Sequence, residues 1–219
     1  MISKTVKTNT KISLPKLIIG LWQIADIERK KKRLDLNKTA ESLNVYVNEG
    51  FSTFDLADHY GSSEIIAGIC KNNHSDRDSI KLLTKWVPKP GPINKEAVYK
   101  AITTSLERMN QKSIDLLQFH TWTYTNPYWL DALLFLKDFK EEGLIKNIGV
   151  TNFDANHLRI ACSTDIPIVS NQISHSIVDQ RAKGKMKSVC DQYSVRLLAY
   201  GTVLGGFLSN RWLGLPEPK

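Results

Sequence analysis

Cysteine is scarce: Cys70, Cys162 and Cys190 are an odd number and form no Cys-x-x-Cys pair. That excludes a disulfide framework, and five histidines without ligand spacing give no reason to expect a metal site. A reducing, cytoplasmic setting is the expectation. Neither Gly-x-Gly-x-x-Gly nor a P-loop occurs, so an open Rossmann sheet lacks its phosphate-binding signature. Long apolar runs are missing too. The stretch from Leu17 to Ile24 is broken by Gly20 and Gln23 and is much shorter than the roughly 20 residues of a membrane span. No small-residue cleavage site follows it, which argues against a secretory signal. Dense charge is confined to Arg29, Lys30, Lys31, Lys32 and Arg33, with no interleaved aromatics. A solvated loop is expected there rather than a nucleic-acid groove or a ligand clamp.

The chain has 219 residues, 42% hydrophobic and 24% charged, enough to bury a core as one domain over residues 1–219. Thirty Lys and Arg against 22 Asp and Glu give a net charge of +8, which favours anionic ligands without naming one. Short β-branched runs alternate with stretches of helical period. Strands are expected over 17–22, 51–55, 80–85, 114–120, 145–151, 168–172 and 195–200. Helices are expected over 37–49, 62–71, 95–109, 129–142, 154–163 and 181–193. Asn94 and Asp154 stand at helix starts as N-caps, and Gly50 and Gly143 at helix ends. This βα rhythm, without a glycine fingerprint, favours a closed parallel barrel over an open doubly wound sheet. A complete (β/α)8 barrel takes about 250 residues. The tail after Tyr200 is too short for another helix, strand and helix, so the last βα unit is expected to be missing.

In a parallel barrel the functional face lies at the strand C-termini. The second expected strand ends in Asp55, with Tyr60 in the loop behind it; the third ends in Lys85 and the fourth in His120. Each alone has a structural explanation: a turn cap, a half-buried aromatic, a paired lysine, a satisfied histidine. On successive strand ends the four converge on one stretch of rim and have a shared acid–base logic. A lysine cation would lower a tyrosine pKa from its usual value of about 10, an aspartate would hold the lysine, and the histidine could donate to a substrate oxygen. The tyrosine would then protonate a carbonyl oxygen as negative charge develops on it.

The segment Gly50-Phe-Ser-Thr-Phe-Asp-Leu-Ala-Asp-His-Tyr-Gly-Ser-Ser-Glu-Ile-Ile-Ala-Gly68 resembles the aldo/keto reductase signature. Leu83-Thr-Lys-Trp86 and Gln118-Phe-His120 are similar to that family's lysine and histidine segments. The resemblance continues through Ile148-Gly-Val-Thr-Asn-Phe153, Ser170-Asn-Gln-Ile173 and Leu198-Ala-Tyr-Gly201, and so covers nearly the whole chain. It implies a TIM barrel that binds NADP(H) without a Rossmann fold and reduces an aldehyde or ketone, a small carbonyl substrate, by hydride transfer. Asp55, Tyr60, Lys85 and His120 match the catalytic tetrad, with Tyr60 as general acid. Thr151, Asn152 and Gln172 match residues that hold the nicotinamide carboxamide, and Tyr200 the aromatic on which that ring stacks. Gly20 and Trp22 fall where the family lets cofactor and substrate approach. Trp86 and Trp122 could wall the substrate pocket or pack in the core.

The resemblance thins beyond Tyr200. The loop Tyr200-Gly-Thr-Val-Leu-Gly-Gly-Phe-Leu208 stands where the family more often has Tyr-Ser-Pro-Leu-Gly-Ser-Gly. Pyrophosphate contacts would fall on Gly201, Val203 and Gly205, while the family's adenosine 2'-phosphate site lies after an eighth strand. Two further readings therefore stand beside the reductase: a non-catalytic, partner-binding subunit, as in potassium-channel β subunits of this family, and a truncated inactive remnant.

Overall fold

A computed structural model describes residues 12–30 and 33–216; Lys31 and Lys32 of the basic run lie outside the described residues. The elements run β1 (Ile19–Gly20), α1 (Trp22–Arg29), α2 (Leu36–Asn48), β2 (Thr53–Asp55), α3 (Ser63–Asn73), β3 (Lys81–Trp86), α4 (Lys95–Met109), β4 (Leu116–His120), α5 (Trp129–Glu141), β5 (Ile148–Thr151), α6 (Ala155–Ser163), β6 (Ile168–Ser174), α7 (Lys185–Tyr193) and β7 (Arg196–Tyr200). All neighbouring strands are parallel and lie in chain order, so the sheet curves as an open half-barrel of seven strands. Among the described residues no eighth strand joins β7 to β1, in line with the expected absence of the last unit.

The helices form where caps and apolar stripes coincide. Asn94 accepts from Ala97 N–H at 2.9 Å, and Val98, Ile102, Leu106 and Met109 give α4 its buried face. Asp154 caps α6 by accepting from the N–H groups of Asn156 and His157, each at 2.9 Å. Gly50 and Gly143 follow α2 and α5 with φ of +86° and +85°, as C-cap residues do. Helix α7 starts later than the pattern predicts, because Gly184 takes φ +70° and ψ −127°, outside the helical region. The first strand is shorter than expected, and Trp22 begins α1 instead of ending a strand, so Arg29 lies in a helix and not in a loop.

Strand alternation sorts side chains into two layers. Phe54, Leu82, Leu117, Phe119, Ile148 and Val150 point outward into the main core beneath the helices. Leu83, Leu116 and Val169 point inward and form a smaller core with Ile18 and Leu198. On that inner side Gly149 leaves room for its neighbours: a Cβ there would collide with the Ser170 hydroxyl oxygen, which would have to shift, and press on Gln118. The inner layer continues upward into polar side chains at the C-terminal rim, which the strand register brings side by side.

Candidate active site

The rim is organised around one carboxylate. Strand pairing sets Asp55 beside Leu83, Lys85 beside Gln118, and Thr151 beside Gln172, so inward side chains from β2, β3, β4 and β6 meet. One oxygen of Asp55 accepts from Lys85 Nζ at 2.6 Å. The other accepts from Gln118 Nε2 at 3.1 Å and Gln172 Nε2 at 2.9 Å. Lys85, only 1% exposed, also donates to the Leu56 carbonyl at 2.9 Å. A lysine so deeply buried requires such partners. Burial pulls its pKa below the usual lysine value, and Asp55 pulls the other way.

The ammonium lies 4.9 Å from the centroid of the Tyr60 ring, over its face. Sequence reasoning expects this cation to lower the tyrosine pKa; instead the phenol is pushed above its ordinary 10.0. Burial is the larger cause and the Asp55 charge the next. The physical reason is that burial disfavours the phenolate, while Asp55 both offsets the Lys85 charge and repels a phenolate. Tyr60 is therefore a phenol that keeps its proton at neutral pH.

His120 closes the group. It is 7% exposed, and neither ring nitrogen has a partner among the described residues. Burial, then His59 and Lys85, depress its pKa to about 4, so the imidazole is neutral. A neutral ring carries one N–H donor for whatever enters. Around Tyr60 and His120 stands an aromatic wall. Trp22 meets Tyr60 edge-on at 4.9 Å, His59 meets it at 4.9 Å, and Trp122 tilts against His120 at 4.4 Å. Asp58 fixes the His59 ring through a 2.8 Å contact with Nδ1.

Asp55, Tyr60, Lys85, His120, Trp22 and Trp122 line a cleft of about 1000 Å³ that runs from β1 to β7. Gly20 and Trp22 form its lip at one end, and Tyr200 and Gly201 at the other. Between them Thr151 presents a buried hydroxyl with no partner among the described residues, beside Asn152. Asn152 accepts from the Tyr200 hydroxyl at 2.9 Å, and the Tyr200 side chain is 44% exposed at the mouth. An orphan hydroxyl beside a free aromatic face suits a flat amide-bearing ring. Gln172 lines the cleft, but its amide nitrogen is committed to Asp55.

Three candidate residues stand apart. Trp86 follows Lys85 on the same strand and so points the opposite way; it packs on Phe119 at 5.6 Å in the outer core and does not line the cleft. Val203 is exposed in the turn beyond β7, and Gly205 follows it in the turn Leu204–Gly206; neither lines the cleft. Conversely, Gln118 and His59 belong to the site and carry no role in the sequence reading. Gln118 was two residues before His120 on a strand, a spacing that puts both on one face.

Among the described residues no helix is long and apolar enough to cross a membrane. Methylglyoxal reductase DkgA of Escherichia coli O157:H7 is 28% identical over 171 residues, 77% of this chain and 57% of that enzyme. The chain spans 57 to 65% of the length of several such bacterial relatives. Among solved structures, the thermostable aldo-keto reductase Tm1743, in complex with the inhibitor epalrestat, superposes with a TM-score of 0.80 at 23% identity. It does so over 93% of this chain and 74% of its own. An aldo/keto reductase from Klebsiella pneumoniae, in complex with NADP and acetate, superposes with a TM-score of 0.72 at 20% identity, over 90% and 67%. The description of the aldo/keto reductase family matches residues 16–217, nearly all of the sequence, and with that match the chain belongs to the aldo/keto reductase family.

Proposed function

We propose that this chain carries the active site of an NADP(H)-dependent reductase of small aldehydes or ketones. The observation that carries the reading is the Asp55–Lys85 pair set against the Tyr60 ring, with an unpartnered neutral His120 in the same cleft. A reduced nicotinamide supplies a hydride when bound; Thr151 and Asn152 would hold its amide and Tyr200 would stack on its ring. The NADP in the Klebsiella relative supports that choice of cofactor.

The chain's own residues account for the rest. A carbonyl oxygen seated between Tyr60 and His120 receives a hydrogen bond from the imidazole N–H. As the carbonyl carbon is reduced, its oxygen becomes an alkoxide, a far stronger base than a phenolate. Tyr60 gives up its proton to that oxygen and is reprotonated from solvent through the open cleft. Lys85 stabilises the transient phenolate, and Asp55, fixed by Gln118 and Gln172, keeps the lysine in place. The aromatic wall of Trp22 and Trp122 favours small or flat apolar substituents on the carbonyl.

The test is NADPH oxidation with a panel that includes methylglyoxal and simple aromatic aldehydes, alongside NADPH binding followed by fluorescence. Turnover that needs both NADPH and the carbonyl is expected. The absence of both NADPH binding and turnover would refute the reading and favour a non-catalytic, partner-binding role, for which the uncovered β7 side of the cleft among the described residues is the supporting feature.

A further inference from the structure

Helix α1 joins the sheet through β1, whose two residues pair, among the described residues, with β2 alone. It meets the tyrosine loop through the Trp22 ring and through a carboxylate. Trp22, Ala25 and Glu28 recur every three residues and share a face of α1. Ala25 is buried, Trp22 meets Tyr60, and Glu28 reaches the first turn of α3. There one carboxylate oxygen accepts the Ser62 N–H at 2.9 Å and the other the Ser62 hydroxyl at 2.5 Å. Ser62 is the N-cap residue of α3, yet its side chain makes no cap bond within that helix. The carboxylate arrives instead from a distant part of the chain, where the positive end of the helix favours it.

The residue between Tyr60 and Ser62 is Gly61, at φ +56°, and a Cβ there would collide with the Glu28 carboxylate. Both the left-handed backbone and the close approach call for glycine. On its other flank the same loop is held by Arg108, which donates to the Asp58 carbonyl at 3.0 Å and to Glu64 at 3.2 Å. The Tyr60 backbone thus sits between two ion-bearing anchors, one from α4 and one from α1.

We propose that Glu28 is a positioning residue for Tyr60, its two bonds to Ser62 holding the Tyr60–Gly61–Ser62 turn so that the phenol stays against Lys85. Glu28 does not line the cleft and acts through the backbone of the loop. The proposal rests on the reading of Tyr60 as proton donor and adds a residue outside the tetrad, on a helix that the sequence pattern does not reveal.

The test compares Glu28→Ala and Glu28→Gln in the full chain. Glutamine keeps both contacts, because its amide oxygen accepts the Ser62 N–H while its amide nitrogen donates to the hydroxyl. Alanine removes both. In Glu28→Ala, kcat is expected to fall about 10- to 100-fold, the scale of a small misplacement of a reacting group. The KM for the carbonyl and the Kd for NADPH should stay within about twofold, and Glu28→Gln should recover most of kcat. Independently of turnover, the isotope-labelled tyrosine resonance assigned to Tyr60 by Tyr60→Phe should shift in the alanine variant and return in the glutamine one. Wild-type kcat in Glu28→Ala, or a loss that only follows the unfolded fraction, overturns the proposal. If the parent protein turns over no carbonyl, the functional reading fails on its own, and an unmoved Tyr60 resonance in Glu28→Ala then overturns the positioning role.

Discussion

Removing one member of the Asp55–Lys85 pair should cost stability far beyond the volume lost. Lys85 is 1% exposed and the Asp55 side chain 14%, so either partner left alone is a largely buried charge without its counter-ion. Breaking buried pairs costs about 3–5 kcal/mol. The lower end applies here, because Asp55 would keep Gln118 and Gln172, and Lys85 would keep the Leu56 carbonyl. Asp55→Asn and Lys85→Met are thus each expected to lose about 3 kcal/mol. The double variant carries no stranded charge and should also lose about 3 kcal/mol rather than about 6, a coupling of about 3 kcal/mol. Urea unfolding followed by circular dichroism gives all four corners of this cycle, provided the m-values agree. Additive losses, with coupling under about 0.5 kcal/mol, would refute the claim that these two side chains form one buried unit.

Further outcomes follow from the same geometry. His120 titrates near pH 4 when folded against 6.5 ordinarily, so the unfolded chain takes up this proton first as pH falls. Stability is full above pH 6.5 and declines towards pH 4, by no more than about 2 kcal/mol after screening, and His120→Gln should flatten this slope in urea midpoints measured across that range. Trp86→Ala should cost about 3–5 kcal/mol as a core truncation. Trp122, 72% exposed, should cost under about 0.5 kcal/mol when replaced by alanine but alter the KM for the carbonyl, so equal thermal shifts in the two variants would contradict their placement. Because the Tyr60 pKa lies above its ordinary 10.0, the reductive rate should stay flat on the alkaline side past pH 9, while oxidation of an alcohol by NADP should keep rising through pH 10. A reductive rate halved near pH 7 to 8 would show a phenol that ionises far too early.

The strand order and the meeting of Asp55, Tyr60, Lys85 and His120 on one rim were readable because both rest on short-range signals. Apolar runs end in Asp55, Lys85 and His120, and a parallel barrel puts such ends on one rim. Helix α1 escaped the pattern because Leu21 offers no capping side chain and the first turn carries no acidic residue. The facing of Trp86 was implicit in its adjacency to Lys85, since neighbours on a strand point to opposite faces. What one sequence does not state is which long-range partners share a charge. Gln118 and Gln172 meet on Asp55 across the barrel interior, and Glu28 reaches Ser62 from a different βα unit. The direction of the Tyr60 shift failed for the same reason. Burial, the larger cause, raises the phenol, and lysine beside tyrosine predicts a lowered pKa only if the lysine charge is uncompensated, whereas Asp55 compensates it and adds its own charge.

The most direct measurement is the kcat of Tyr60→Phe for reduction of a carbonyl that the unmodified protein turns over, with NADPH binding followed in the same samples. The account predicts a fall of about 10²- to 10⁴-fold, the scale of a lost general acid, with NADPH affinity unchanged. Turnover within about threefold of the parent would contradict it, because the proton would then reach the substrate oxygen without the phenol.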